Sequence, residues 1–355
     1  MTRIAHSPHA HAPVSVGKVM ATVMAALVPA TLYGFWLYGW PAIFLWTVTV
    51  TTAVAAEALT VRLQEKPVRP TLMDGSAILT AWLLALSLPP FAAWWVGVVG
   101  ALFAVVIAKQ VFGGLGQNVF NPAMAARVML LISFPVDMTM WTTPMPLTGG
   151  HAPGLMEGLA ITFGGAHWDA MASASLLGHV KTEFTRGVDL LHSLPGYFAA
   201  QDSAIGSRAG SLGETSAGLL LAGGLFLIAR RIITWHGPVA MLLGVAVPAL
   251  IAHAVAPAHF LGVLPEILSG GLILGAFFII TDPVTSPNTN EGMFLFGLLC
   301  GLLTWTIRTF GGYPEGVAFA VMLMNSLTPI IDRYVKPRIY GRTRKGTALP
   351  VGKEA

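Results

Sequence analysis

Long apolar runs separated by short polar turns occupy almost the whole chain. A helix needs about 20 consecutive apolar residues to cross the roughly 30 Å hydrocarbon core of a bilayer. The pattern therefore predicts an all-α polytopic membrane protein of about ten transmembrane helices, folded as one bundle in the lipid bilayer. The ten candidate spans are Val19–Tyr38, Ala42–Val61, Ser76–Leu88, Ala92–Val111, Val119–Phe134, Ser216–Ile233, Val239–Ala256, Ile267–Thr281, Met293–Thr309 and Gly316–Ile331.

Three of these candidate spans, the third, the fifth and the eighth, are short for a bilayer crossing. Glycine and proline lie at their ends, as at Pro89-Pro90 and Asp282-Pro283. Glycine and proline at the span ends predict broken or half-crossing helices at these places.

Lysine and arginine collect after the even-numbered spans, which predicts that these turns and both termini face the cytoplasm. The long segment 136–215 then lies on the periplasmic side, as the only sizeable piece outside the membrane. The predicted divisions are an N-terminal cytoplasmic tail (1–18), a first transmembrane half (19–135), the extracytoplasmic segment (136–215), a second transmembrane half (216–332) and a basic cytoplasmic tail (333–355).

The two halves, with five spans each and opposite orientations, share weak sequence patterns. Gly75 falls in step with Gly270, and Gly113-Gly114 falls in step with Gly311-Gly312. This indicates a 5+5 inverted repeat, in which two half-bundles face each other around a site near the midplane. Chance similarity between glycine- and alanine-rich helices explains the same matches equally well.

Composition supports a lipid environment and narrows the chemistry. Hydrophobic residues make up 55% of the 355 residues and charged residues 10%, with a mean hydropathy of +0.71. The formal net charge of +4 is spread over short clusters and gives no indication of nucleic-acid binding. The single cysteine, Cys300, excludes an intrachain disulfide and a cysteine-ligated iron–sulfur cluster within this chain. The polar N-terminus is too long for a cleaved signal peptide, so we expect the first span to be retained.

One candidate site lies in the outer segment, in the run Asp169–Leu177. Two hydroxyls, Ser173 and Ser175, lie there among small side chains such as Ala174, and Leu176 follows. Small neighbours suit a flavin phosphate joined to a hydroxyl, because the flavin ring comes close to the backbone. On the residues alone, an ordinary Ser/Ala loop or a helix start capped by Asp169 is the favoured interpretation.

Three ionisable residues fall inside predicted spans: Glu57, Arg127 and Arg308. A charge at the bilayer centre costs at least about 2.5–3.5 kcal/mol, so such groups usually pair or line a pathway. Arg127 and Arg308 lie close enough to span ends to extend toward the interface instead. Glu57 fits a functional ligand and an interfacial residue equally well.

Two polar runs are further candidates for a non-covalent flavin or an ion pathway. The run Gly113–Arg127 contains Asn118 and the pair Asn121-Pro122, which predicts a helix start with free N–H groups for an anion or a flavin carbonyl. A tight turn that re-enters the membrane is the alternative. The second run contains Thr281, Asp282 and Thr285, and here a capped loop is at least as good an interpretation as ligand binding.

The N-terminal tail contains His6, His9 and His11. Spacing alone in a polar tail favours a pH-sensitive surface segment, and we assign no metal to these residues.

Several motifs together carry a resemblance to a known family. The run GGLGQNVFNPAMAARVMLLISFP from Gly113 resembles the D subunit of Rnf electron-transport complexes, related to the B subunit of sodium-pumping NADH:quinone reductase. The remaining matching runs are SPH from Ser7, DGSAILTAWLLALSLPP from Asp74, GSLGETSA from Gly210, LGAFFIITDPVTSPNT from Leu274 and GGYPEGVAFAVMLMNSLTPIID from Gly311. The resemblance therefore extends, in order, over nearly the entire chain.

The resemblance implies one subunit of an Rnf-type complex in the bacterial inner membrane, not expected to be active alone. Such complexes move electrons between ferredoxin and NAD, whose sites lie on partner subunits, and couple this to Na⁺ or H⁺ movement. The alternatives are a secondary transporter or channel without a redox centre, and a scaffold that anchors redox partners.

The resemblance also implies flavin cofactors. In the family, an outer loop with the pattern Asp-Gly-x-Ser/Thr-Gly-Ala-Thr holds FMN through a phosphoester on its last threonine, installed by a flavin transferase. The matching stretch here has Ser175 at the acceptor position, and Ser173, in place of a glycine, becomes an alternative acceptor. A second, non-covalent flavin resembling riboflavin is implied near Asn121 and the run 281–285.

Overall fold

The structure, a computed structural model, describes residues 15–150, 152–165, 175–186, 188–190, 198, 205–206 and 208–337. Its regular elements there are helices, which confirms the predicted all-α class. The α-helices are α1 (Val16–Tyr38), α2 (Trp40–Leu63), α3 (Val68–Leu72), α4 (Ser76–Ser87), α5 (Trp94–Leu102), α6 (Pro122–Ser133), α7 (Pro135–Thr139), α8 (Leu155–Gly164), α9 (Leu176–Arg186), α10 (Ala217–Ala229), α11 (His236–Val255), α12 (Val263–Leu268), α13 (Leu272–Leu274), α14 (Asn290–Phe310) and α15 (Val317–Tyr334).

Five of these elements are long and apolar enough to cross a membrane: α1, α2, α11, α14 and the stretch Trp94–Phe112 that begins with α5. The expected short spans are also present. Helices α4 and α6 have 12 residues each, and therefore measure only about 18 Å. A polytopic membrane protein with broken helices is thus confirmed.

The predicted bounds are wrong in the eighth span, and the fourth span departs from a regular α-helix. The eighth span does not begin at Ile267, because Gly270, at φ 67°, separates α12 from α13, and a π-helical turn, Gly275–Ile279, follows. The fourth span is not a uniform helix, because α5 passes into a π-helical turn at Phe103–Ile107. Hydropathy detects neither feature, since both stretches are apolar throughout.

The bundle has two chemically different ends. The basic end is the one that carries Lys18, Arg62, Lys66, Arg230 and Arg333, and it includes the start of α1 and the end of α10. At the opposite end, which we call the loop end, the hydroxyl of Tyr38 donates to the carbonyls of Arg208 and Gly210 at 2.9 and 3.2 Å. The outer-segment helix α9 also lies there, because Lys181 Nζ donates to the Arg308 carbonyl at 2.9 Å.

The backbone supports the inverted repeat at one of its two sequence matches. Gly75 and Gly270 both take left-handed conformations, with φ 77° and 67°, and each lies just before a short helix. Helix α2 packs on α5 as α11 packs on α14, which is the same arrangement in both halves. At the other match, Gly113 has φ 121° whereas Gly311 has φ −73°, so the two turns differ.

Two buried ion pairs stabilise the broken helices from inside. At the start of α4, the ammonium of Lys109 pairs with Glu57 and donates to Ser76 Oγ at 2.6 Å. Gln110 Nε2 donates to the same Glu57 oxygen at 2.9 Å. The corresponding place before α13 holds Arg308, whose guanidinium donates to Glu266 Oε2 at 3.1 Å and to the Ser269 carbonyl at 2.9 Å. Each pair therefore anchors the N-terminal side of a short helix.

The Glu57–Lys109 pair yields a stability prediction. Lys109→Met leaves Glu57 charged and buried without its partner, so we expect a loss of about 3–5 kcal/mol in the free energy of unfolding. The double change Glu57→Leu with Lys109→Met removes both charges, and should recover most of that loss. Thermal unfolding in detergent measures both variants. Arg62→Met, which removes an exposed cation at the same end, is the control, and a loss of similar size there would contradict the assignment.

Candidate functional site

A cavity of about 250 Å³ lies between α1, α4, α10 and the π-helical turn Gly275–Ile279, toward the basic end. Its walls are mainly apolar and include Leu79, Leu83, Phe277 and Phe278. The polar side chains that line it are Ser76, Thr80, Lys109, Asn118, Asn121, Thr281 and Asp282. This combination of apolar walls and a few polar groups is typical of small-molecule sites. The cavity volume is slightly below the lower end of their usual range, which is roughly 300 Å³.

Four of the residues singled out in the sequence meet in this cavity. Asn118 and Asn121 come from the run before α6, and Thr281 and Asp282 come from the run after the π-helical turn. They are about 160 positions apart in the sequence, and Asn121 Nδ2 lies 3.5 Å from Asp282 Oδ2. The two polar runs therefore form one site.

The other three residues predicted for a flavin or ion pathway lie outside the cavity lining. Thr285 is buried, and its carbonyl accepts from Asn325 Nδ2 at 3.1 Å and from Thr328 Oγ1 at 3.0 Å. Glu57 contacts the cavity only through its partner Lys109. Arg127 belongs to a separate charged network at the loop end.

Asn121 starts α6, as its sequence predicts, but not in the way expected for ligand binding. Its side-chain oxygen accepts from the N–H groups of Ala123 and Met124 at 3.1 and 3.2 Å. Its own N–H donates to Asn325 Oδ1 at 3.0 Å. The prediction of free N–H groups at this helix start is therefore wrong, because the cap itself uses them.

Asp282 has a structural role in addition to its place in the cavity. Its carboxylate accepts from the Val284 N–H at 3.2 Å and from Thr285 Oγ1 at 3.1 Å. This is the capped loop that the turn residues indicated. The capping does not exclude a ligand, because Asp282 also lines the cavity beside Thr281.

Asn118 has the clearest unmet hydrogen-bonding capacity in the cavity. Its side-chain nitrogen donates to the Phe120 carbonyl at 3.0 Å. Its side-chain oxygen is buried and has no hydrogen-bond partner within the described part of the chain. A buried acceptor without a partner costs about 1–3 kcal/mol, and a donor on a water molecule or on a bound ligand would remove that cost.

Sequence reasoning missed Lys109 and Ser76 as cavity residues. Lys109 interrupts an otherwise apolar run, and in the sequence it serves only as a marker of the cytoplasmic side. The signal was nevertheless present, because an isolated lysine and an isolated glutamate in neighbouring apolar helices are expected to pair.

Ser175 lies at the loop end, directly before α9. It is 8% exposed, and its hydroxyl accepts from the Gly178 N–H at 3.2 Å, so it caps that helix. The following residue, Leu176, is buried. Asp169, Ser173 and Ala174 lie outside the described residues, as do the tail histidines His6, His9 and His11.

A small pocket of about 30 Å³ adjoins Ser175. Arg208, Glu214 and Ser269 contribute to its lining together with the backbone of Gly270. Such a volume holds roughly one water-sized group. Ser175 and Arg208 thus line one pocket, which has no room for an aromatic ring.

Buried charges surround this pocket on the side of the bundle. Arg127 Nη2 donates to Glu315 Oε2 at 2.7 Å, and the other oxygen of Glu315 accepts from the Gly271 N–H. Arg308 pairs with Glu266. The suggestion that Arg127 and Arg308 extend to the interface is wrong, because both side chains are buried and paired with carboxylates.

Glu214, in the segment before α10, is the third carboxylate of this network. Its Oε1 accepts from Ser211 Oγ at 2.9 Å. Burial, and after it the negative charge of Glu315, raises the pKa of Glu214 to about 7, while the positive charge of Arg127 opposes the rise. The positive charge of Arg308 also lowers the pKa of Glu214, but burial outweighs both guanidiniums.

The raised pKa of Glu214 predicts a pH dependence of stability. Between about pH 4.5 and about pH 7 the folded protein keeps a proton that the unfolded chain has lost, so stability falls as pH rises. Glu214→Gln mimics the protonated form and should flatten this slope in thermal unfolding scans. Asp189→Asn, which changes an exposed carboxylate at the same end, should keep the wild-type slope. An unchanged slope in Glu214→Gln would remove Glu214 as the cause.

Known proteins match the chain over almost its full length. The sequence model of the NQR2, RnfD, RnfE family matches residues 3–341. The D subunit of the ion-translocating oxidoreductase complex of Halorhodospira halophila is 48% identical over 355 residues, covering 100% of this chain and 99% of the relative. The protein of the same name from Stutzerimonas stutzeri is 52% identical over 340 residues, or 96% of each chain. That of Rhodobacter capsulatus is 47% identical over 301 residues, or 84% of each. The chain belongs to the NQR2, RnfD, RnfE family.

Proposed function

We propose that this chain is the flavin-bearing membrane subunit of an ion-translocating electron-transport complex. In this proposal the complex couples ferredoxin and NAD redox chemistry to Na⁺ or H⁺ movement, and the chain works only with its partner subunits. The relatives support the assignment to a complex, since each is named as the D subunit of an ion-translocating oxidoreductase complex. The apolar helices support a position within the membrane.

The buried oxygen of Asn118 is the observation that carries the flavin part of the proposal. It is an acceptor without a partner among the described residues, and Asn118 is one of the residues that line a largely apolar cavity. A flavin ring matches this environment, because it is flat and mainly apolar with an N–H and carbonyls along one edge. A ligand without a donor, such as a lipid chain, would leave the Asn118 oxygen unsatisfied.

The remaining cavity residues fit the same group. Phe277, Phe278 and Leu79 offer apolar contact to a ring and exclude water from it. Lys109 and Thr281 also line the cavity, where the ammonium of Lys109 is bonded to Glu57 and the Thr281 hydroxyl donates to the Phe277 carbonyl. When bound, a flavin supplies the electron transfer that the side chains of this bundle cannot perform.

Ser175 fits the attachment of a phosphate better than the attachment of a whole flavin in its pocket. The hydroxyl lies at the N-terminus of the 11-residue helix α9, where a helix favours negative charge. Arg208 lines the same pocket. Because that pocket is small, we propose that the FMN phosphate is esterified to Ser175 by a flavin transferase and that the ring lies outside the pocket.

Covalent attachment predicts fluorescence that survives denaturation. The protein from cells that express a flavin transferase should show flavin fluorescence at its own position in a denaturing gel, and Ser175→Ala should lose it. Ser173→Ala is the matched control and should retain the signal. Loss in Ser173→Ala alone would move the attachment to Ser173. Absence of any signal in the wild-type protein would favour a transporter or scaffold without its own redox centre.

The cavity predicts a second, non-covalent flavin that acid precipitation releases. Asn118→Leu removes the acceptor while keeping the side-chain volume similar, and we expect roughly tenfold weaker retention of that flavin. Gln117→Leu, at the exposed neighbouring position, should retain flavin as the wild type does. Fluorescence of the released flavin per protein chain measures both. Equal retention in the two variants would mean that Asn118 does not contact the flavin.

A further inference from the structure

A second concave surface lies on the outside of α1 and α10, two of the helices that wall the cavity. It is a groove of about 700 Å³ between α1 and the end of α10, at the basic end. Ala21 and Ala25 line it from α1, and Phe226 and Ala229 line it from α10. These side chains are exposed in the described structure, and the Phe226 ring is 45% exposed. The groove is therefore an apolar surface on the outer face of the bundle.

The groove forms because the two helices touch closely at one level and α10 then ends. A Cβ at Gly223 would lie 2.5 Å from the carbonyl oxygen of Ala26, so only glycine permits this approach. Helix α10 stops at Ala229, less than two turns later, whereas α1 extends to Val16. The space beside the end of α10 is thus part of the fold.

Three cations surround the groove: Lys18 on α1, and Arg230 and Arg231 after α10. The side chains of Arg230 and Arg231 are exposed and form no ion pair with any described residue. Arg231 has φ 57°, a conformation that non-glycine residues rarely adopt. Positive charge is therefore concentrated beside the apolar groove.

The helix ends alone do not account for this arrangement. A helix C-terminus favours cations, which explains one or both arginines at the end of α10. Lys18, however, lies in the first turn of α1, where the helix dipole disfavours a positive charge. Arg230 and Arg231, which form no ion pair with the described residues, converge with Lys18 on one groove, where an anionic headgroup would neutralise them.

We propose that this groove binds one anionic phospholipid, with its phosphate among Lys18, Arg230 and Arg231 and an acyl chain along Ala21, Ala25 and Phe226. Basic pockets between membrane helices are suited to acidic lipid headgroups. A soluble phosphate would satisfy the cations but leave the apolar walls bare. A lipid meets both requirements, because its charged and apolar parts match the two halves of the groove.

Lipid binding to the purified complex, followed by native mass spectrometry, tests this proposal. We expect phosphatidylglycerol to bind one saturable site, and Arg230→Gln with Arg231→Gln to weaken that binding roughly 30-fold. Arg62→Gln with Arg69→Gln removes the same charge from exposed positions at the same end, and should bind as the wild type does. An equal loss in this control would show a general charge effect and overturn the site.

Further binding measurements distinguish an anionic lipid from other occupants of the groove. Equal binding of phosphatidylcholine, or full competition by inorganic phosphate, would overturn an anionic lipid as the ligand. Binding by the isolated chain but not by the complex would mean that a partner subunit covers the groove, which also overturns the proposal.

Ala25→Trp fills the apolar part of the groove and leaves the cations in place. It should weaken phosphatidylglycerol binding without lowering the midpoint of thermal unfolding, and undiminished binding there would contradict the predicted path of the acyl chain.

Discussion

Every polar backbone group inside an apolar bundle needs a hydrogen-bond partner, and helices that stop partway through the bundle expose such groups. Arg308 meets this constraint directly, because its guanidinium donates to the backbone carbonyls of Glu266 and Ser269, whereas the Lys109–Glu57 pair acts through side chains at a helix start. Lys109 joins Glu57 on α2 to Ser76 at the start of α4, and Arg308 joins Glu266 to the Ser269 carbonyl before α13. Charges that are costly in a membrane thus stabilise the broken helices on which the rest of the architecture depends.

The cavity follows from these interruptions. All of its polar residues except Thr80, which lies inside α4, are at helix breaks: Asn121 caps α6, Lys109 follows one π-helical turn and Thr281 follows the other. In continuous helices, the backbone groups at these positions would be hydrogen-bonded within the helix, and the helix surfaces there would be used for apolar packing. The same breaks that need buried charges therefore supply the site with its few hydrogen-bonding groups.

The sequence reveals the parts of this structure that depend on local signals. Apolar length indicates the long spans, and glycine and proline mark the short ones. Asn121-Pro122 marks the start of α6. Pairs of residues that are distant in the sequence leave no such local signal. Arg127 and Glu315, for example, are 188 positions apart and no periodicity links them. Lys109 had a visible signal, but its partner could be identified only by asking which other charge is isolated. The π-helical turns leave no trace in hydropathy.

In the outer segment, too, the sequence reveals local structure but not which distant residues surround it. The sequence suggests a helix start in this run with Asp169 as its cap, and in the structure a helix starts after Ser175, whose hydroxyl caps it. Its neighbourhood, however, is built from Arg208, Glu214 and Ser269, which come from two other parts of the chain. Only the folded chain brings the hydroxyl and these groups together.

Ile232 lines both the internal cavity and the external groove. The partition between them is therefore a single side chain thick at this point. If the cavity holds a flavin and the groove a lipid, the surrounding membrane forms part of the electrical insulation of the redox centre. The polarity around that flavin, and with it the reduction potential, would then depend on which lipids the cell makes as well as on the protein sequence.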